Sequence, residues 1–249
     1  DVQEVSNYVA AMNHGLKRMR EDNFPLSLRL IREMHEVLLS KGRGSDKDPG
    51  QFRRSQNWLG GTRPGNARFV PPPPERVIEC MGNLEKFLHD QPQRTGALIK
   101  AALAHVQFET IHPFLDGNGR LGRLLITLLL VEGGLIDEPV LYLSLYLKQN
   151  RKIYYDLLQE VRSYGAWETW LEFFLNGILT SSKQAIKTAE DINLLFSEDS
   201  IKISSLGRAR FSCEQTLEYL KQLPQVSVQL LAKELDVSLP TARSSLNHM

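Results

Sequence analysis

Apolar residues recur every three or four positions along almost the whole chain, which is the spacing of helices that bury one face. Val5, Val9, Met12, Leu16 and Met19 form one stripe; Leu28, Ile31, Met34, Val37 and Leu38 form a second, with Pro25 ahead of it and Gly42 behind it. The same spacing predicts helices at about Arg76–His89, Gly96–Glu109, Arg120–Val131, Ser144–Lys148, Lys152–Tyr164 and Ala166–Phe196. No strand-rich half and no internal repeat is present.

Lys41 to Pro74 breaks this pattern, being rich in Gly, Arg, Asn and Pro. Gln56–Gly61 and Ala67–Val70 read as the arms of a β-hairpin, with Pro64-Gly65-Asn66 making the turn. Pro71–Pro74 then enforces an extended exit. From composition alone a surface loop or linker is the favoured reading of the segment. After Phe196 the composition shifts again: Ser197-Glu198-Asp199-Ser200 and Ser204-Ser205-Leu206-Gly207 read as a linker over 197–210. Three short helices follow, Cys213–Leu223, Val228–Leu235 and Leu239–His248, the third opened by Ser238 as cap and Pro240 in its first turn. Their order and spacing resemble a helix-turn-helix, whose third helix would be the recognition helix; such trihelical units serve DNA binding and protein contacts alike.

With 249 residues, 42% of them hydrophobic, the chain can bury a sizeable core, and one large domain plus one small one is the expected count. Thirty Lys and Arg against 29 Asp and Glu leave a net charge of +1, which favours neither nucleic acid nor an anionic membrane as a bulk partner. Two cysteines far apart in sequence suit a reducing compartment, and no apolar run reaches the ~20 residues of a membrane span. A cytoplasmic protein is expected. Asp1 opens just ahead of a helix and Met249 closes inside one, so the sequence reads as a fragment.

The chemistry is concentrated in His112-Pro113-Phe114-Leu115-Asp116-Gly117-Asn118-Gly119-Arg120-Leu121-Gly122-Arg123. Glycines on either side of an asparagine let backbone N–H groups turn towards an anion, and the helix that follows adds unpaired donors and the positive end of its dipole. Arg120 and Arg123, three apart, can clamp terminal phosphate oxygens. Asp116 would repel phosphate unless a Mg²⁺ lay between them. His112 is placed to accept a proton at neutral pH, and Phe114 reads as an anchor for the loop. Taken singly, each residue also has a structural reading: a core histidine, an Asp-Gly-Asn-Gly turn, a solvated arginine face. The fixed order of all of them points to phosphate chemistry.

This run resembles the His-Pro-Phe-x-Asp/Glu-Gly-Asn-Gly-Arg-x-x-Arg signature of Fic-domain proteins at every position. The resemblance covers roughly residues 1–196: Asp1–Gly15 looks like the helix that opens the core, Gln56–Pro74 like the flap, and Asn150–Tyr155 like the nucleotide-base side. It implies an all-α Fic-type core with a short β-hairpin flap, followed by a helix-turn-helix or winged-helix-like unit over 211–249. It further implies an enzyme that transfers AMP from ATP to a Ser, Thr or Tyr hydroxyl of a target protein, releasing pyrophosphate. His112 would be the general base and Asp116 the Mg²⁺ ligand. Gly117, Asn118 and Gly119 would form the anion hole, with Gly122 in the same turn, while Arg120 and Arg123 hold the β- and γ-phosphates. Tyr154 and Tyr155 would flank the adenosine, unless they are core residues. Asn66, Ala67, Arg68, Phe69 and Val70 of the flap would pair with the target backbone. Self-modification, a homodimer and DNA binding by the C-terminal unit are left open; a membrane partner is not expected. The inhibitory string Ser/Thr-x-x-x-Glu-Gly/Asn of many members does not occur between Asp1 and Met249. The resemblance places it upstream, and the chain is then expected to be derepressed. Competing readings keep the fold but remove AMP, or transfer UMP, phosphocholine or phosphate, or make the core a nucleotide sensor for a DNA-binding regulator.

Overall fold

The computed structural model describes residues 2–248, which are helical apart from the 39–76 segment and short connections. Two compact units divide the chain, Asp1–Ser182 and Lys183–Met249.

The first unit is organised around α4 (Ala97–Ile111) and α5 (Asn118–Glu132). Both carry buried residues around their full circumference, as expected of helices enclosed on all sides. Leu121, Leu124, Leu125, Ile126, Leu128, Leu129 and Leu130 supply the α5 share of the core. Against this pair lie α1 (Val2–Arg20) and α2 (Leu28–Leu38). Ser27 caps α2 by accepting the Leu30 N–H at 3.4 Å. The buried Asn7 amide donates to the carbonyls of Lys41 (2.8 Å) and Leu38 (3.3 Å), tying α1 to the end of α2. α3 (Val77–Leu88) packs on α4, and α6 (Leu143–Gln149) and α7 (Arg151–Tyr164) complete the shell. α8 (Trp167–Ser204) crosses the division; its first turns send Trp170 and Phe174 into the core, where Trp170 Nε1 donates to the Ala102 carbonyl at 3.0 Å.

In the second unit the expected linker over 197–210 is largely helical. α8 continues to Ser204 before a 3₁₀ turn at Gly207–Ala209. Ile203 extends its apolar stripe into a small cluster with Cys213 and Leu217, and Lys202 pairs with Asp199 at 2.9 Å one turn back. The polar Ser and Glu residues that suggest a break are the solvent face of that turn. α9 (Arg210–Gln222), α10 (Val228–Glu234) and α11 (Leu239–His248) follow, with Leu231, Ala232 and Ala242 as their shared core. Ser227 caps α10 and Ser238 accepts the Thr241 N–H at 3.3 Å in the first turn of α11. No strand that would make a wing is present among the described residues.

The hairpin expected at 56–70 is also corrected. It reduces to one antiparallel bridge, Leu59 with Phe69, closed by a 3₁₀ turn at Pro64–Asn66. The Ala67 N–H, which a next ladder pair with Gly61 would need, turns to the Pro64 carbonyl at 3.3 Å, and the Asn66 carboxamide holds this tight turn by accepting the N–H groups of Thr62 and Arg63, both at 3.0 Å. Pro64 and Pro71–Pro74 have no N–H to give.

Candidate active site

The loop between α4 and α5 is shaped by residues that lock its backbone. His112 caps α4 in the left-handed conformation (φ 48°), turning the chain out of the helix. Phe114, fully buried, stacks on His35 with ring centroids 3.7 Å apart and planes 9° from parallel. The His35 ring accepts the Gly50 N–H at Nδ1 (2.8 Å), so its Nε2 donates to the Asp116 carbonyl (3.0 Å). Burial keeps this imidazole neutral, lowering it to about 4. Asn118 is buried too: its carboxamide accepts the Phe114 N–H at 2.9 Å and donates to the Phe114 carbonyl at 2.8 Å. The Asn118 side chain is therefore the clasp of the loop, which leaves its backbone N–H as the group that an anion hole could use.

Gly117 is the N-cap of α5 at φ 80°, a conformation that excludes most side chains, and no side chain caps this helix. Leu121 is the first residue whose N–H bonds back, to the Gly117 carbonyl at 2.9 Å, so the N–H groups of Asn118, Gly119 and Arg120 have no intrahelical acceptor. Asp116 Oδ1 accepts its neighbour's N–H, that of Gly117, at 2.5 Å. Its carboxylate lies 3.5 Å from Arg43 and 3.7 Å from Arg120 Nη2. Arg120 Nη1 is 3.9 Å from Glu4 of α1, while Nη2 is buried and donates to nothing. Arg123 folds back along α5, its Nη1 3.4 Å from where a Cβ on Gly119 would stand.

His112 lies beside these groups with its Nδ1 buried and unbonded, 3.9 Å from the Glu109 carboxylate. Burial first, and then the positive charge of Arg162, bring its imidazole down to about 4, so at physiological pH it is neutral with one ring nitrogen open to a proton. Its carbonyl accepts from Arg53 Nε at 3.0 Å and Asn57 Nδ2 at 3.4 Å. Arg53 also donates to the carbonyls of Ile111, Ser55 and Pro72, so this buried guanidinium joins the non-helical segment to the end of α4.

Of the remaining expected residues, Gly122 serves close packing: a Cβ there would stand 2.8 Å from Glu109 Oε1 and 3.3 Å from Phe108. Tyr154, expected beside adenosine, is only 4% exposed, its hydroxyl 3.0 Å from His105 Nε2; the hydrophobic periodicity of α7 turns it inward. Tyr155 next to it is 42% exposed, with Arg151 over its ring. In the flap, Asn66, Ala67, Arg68, Phe69 and Val70 lie along the bridge and its turn; Arg68 pairs with Asp156, and the Phe69 ring lies 4.0 Å from the Arg162 guanidinium. Glu109, Arg162, Arg53, His35 and Glu4 escape the sequence reading. Of these only Glu109, one turn before His112 on a predicted helix, carries a signal that spacing could have revealed.

Residues 25–130 match the Fic/DOC family, a span that contains the whole loop, α4 and all but the last two residues of α5. Over 157 residues, 63% of the chain, the sequence is 36% identical to the protein adenylyltransferase Fic of Aedes aegypti. It is 30% identical to the protein adenylyltransferase fic-1 of Caenorhabditis elegans over 203 residues, 78% of the chain. It spans 28% and 37% of the length of these two relatives. A solved Fic family protein from Desulfovibrio desulfuricans has the same fold, with a TM-score of 0.63 over 99% of this chain and 67% of that one at 24% identity. Fic-1 from C. elegans superposes with a TM-score of 0.55 over 74% of this chain and 52% of its own.

Proposed function

We propose that the chain transfers the adenylyl group of ATP to a hydroxyl of a protein target. The observation that carries this reading is the uncapped start of α5, whose N–H groups at 118–120 have no intrahelical acceptor, beside the buried Arg120 Nη2, which makes no hydrogen bond and reaches Asp116 only at 3.7 Å. A triphosphate satisfies both at once. The relatives named protein adenylyltransferase support the choice of nucleotide and acceptor.

In this reading the backbone N–H groups of 118–120 and the two arginines bind the phosphate chain. The target hydroxyl attacks the α-phosphorus, its proton passes to His112, the bond to the bridging oxygen breaks and pyrophosphate leaves. The neutral imidazole is the proton acceptor that this step requires. Positioning and charge neutralisation do the remaining work. Asp116 fits a Mg²⁺, an ion commonly held by one or two carboxylates together with phosphate oxygens. No cluster of three metal-ligating side chains competes with it among the described residues. The ion would neutralise charge on the phosphates, and Arg43 and Arg120 would have to release the carboxylate to admit it. The exposed ring of Tyr155, rather than Tyr154, is the candidate for the adenosine side, and the flap around Phe69 for the target backbone.

Incubation with Mg²⁺ and ATP labelled on the α- or the γ-phosphate tests the proposal. Protein-bound α-label with pyrophosphate release is expected; transfer of γ-label, or hydrolysis alone, overturns it. A DNA-binding role for the second unit would rest on α11, where Arg243 is the only arginine or lysine, and a gel shift at low salt would detect it.

A further inference from the structure

Glu109 is the one buried carboxylate near the loop to which the proposed chemistry gives no task. It sits on α4 one turn before His112, its side chain among Arg123, Arg162, His112 and the close-packed Gly122. Its Oε1 is buried without a hydrogen-bond partner, and His112 Nδ1 is buried without one as well. Buried polar atoms without partners are costly unless some state of the site satisfies them, and the carboxylate approaches the ring through its other oxygen, Oε2. Oε2 and Nδ1 stand 3.9 Å apart, longer than a hydrogen bond, and about 1 Å of movement closes the gap. The space is kept by Gly122, where a Cβ would press on Oε1 at 2.8 Å.

We infer that Glu109 is a positioning residue: its carboxylate accepts the Nδ1–H of His112, which fixes the tautomer that leaves Nε2 free to take the proton of the incoming hydroxyl. The inference rests on the adenylyl-transfer reading for its catalytic consequence, but not for the contact itself. The backbone offers a rival acceptor in the Glu109 carbonyl. That carbonyl accepts Arg162 Nη2 at 3.1 Å, keeps a second lone pair and acts on the His112 ring, so carbonyl and carboxylate compete for Nδ1–H and the variant below separates them. As Nε2 gains a proton, a carboxylate on the far side of the ring stabilises the imidazolium, as an orienting acid does for a catalytic histidine elsewhere.

The experiment uses protein labelled with ¹⁵N-histidine and long-range proton–nitrogen correlation, with the His112 signal assigned by its loss in His112→Asn. The expected spectrum shows a protonated Nδ1 and an unprotonated Nε2 in the wild-type chain, shifting to a mixture in Glu109→Gln. A wild-type Nε2–H tautomer overturns the inference, and so does a Glu109→Gln spectrum identical to wild type, which would assign the role to the carbonyl. This readout needs no turnover, so it stands apart from failure of the transferase reading. In kinetics, Glu109→Gln should lower kcat about 10–100-fold with KM for ATP nearly unchanged. The acid limb of the pH profile should move to lower pH, because of the charges facing His112 from Glu109, Asp116, Arg53 and Arg162 only the first is removed. A parallel rise in KM for ATP with an unmoved limb would count against it. If Glu109→Gln does not fold, Gly122→Ala reports on the same contact: its added methyl displaces the carboxylate, and an unchanged tautomer in that variant overturns the inference.

Discussion

Two stretches that sequence reading assigns to the same site, the His112–Arg123 loop and the 56–70 flap, are built in opposite ways. The loop is over-determined. Phe114 is stacked on His35, Asn118 clasps it from inside, and Arg53 and Asn57 hold the His112 carbonyl. The flap is anchored to the loop at its base by Asn57, but beyond that it has one bridge and mostly exposed side chains, and its links to α7 are two contacts through Arg68 and Phe69. Chemistry needs atoms fixed to within a fraction of an ångström, while recognition of a varied partner tolerates an edge that adjusts. The division of labour suits the proposed transfer, in which the nucleotide is constant and the protein acceptor is not.

Substitutions can break or sharpen this contrast. The largest effect belongs to His112→Ala, which should lower the transfer rate about 10²–10⁴-fold while ATP binding, measured by calorimetry, stays within a few-fold. Loss of ATP binding instead would mean the ring holds the nucleotide rather than moving a proton. Phe114→Ala empties a fully buried site and should destabilise the first unit by about 3–5 kcal/mol in denaturant titrations. A cost under 1 kcal/mol would show the loop to be as loosely held as the flap.

Acid should loosen the rigid region next. His35, His105 and His112 are each held near 4 in the fold against 6.5 for a free imidazole, so the unfolded chain binds more protons between those values. Stability is then fully present above about 6.5 and falls as the pH drops towards 4, by up to about 3 kcal/mol per imidazole. Glu109, raised by burial, opposes this trend in part. Stability that is flat from pH 7 to 4.5 would contradict the burial argument. Smallest is Phe69→Ala, expected to change stability by less than ~1 kcal/mol while raising KM for a protein target and leaving that for ATP alone.

The helical frame was legible because its burial pattern is local: α11 has its expected bounds, and α4 and α5 begin and end within about a turn of them. The loop was legible because its residues are consecutive. What escaped is what the chain brings from afar: Arg53 under His112, His35 under Asp116, Arg162 behind Glu109. Tyr154 was misplaced because one turn of helix decides between pocket and core, and spacing alone does not say which side holds the nucleotide. The flap departs from a hairpin for a subtler cause: the turn tightens locally, with Asn66 holding Thr62 and Arg63 and the Ala67 N–H drawn to the Pro64 carbonyl instead of across the ladder.

Arg53 carries one more consequence. Its guanidinium binds main-chain oxygens on both sides of the interior, so the coil before α3 and the turn out of α4 share a fastener. They should open together in a single cooperative event. In amide exchange the protected hydrogens of both stretches would then report one common opening free energy, and Arg53→Lys would lower both by the same amount.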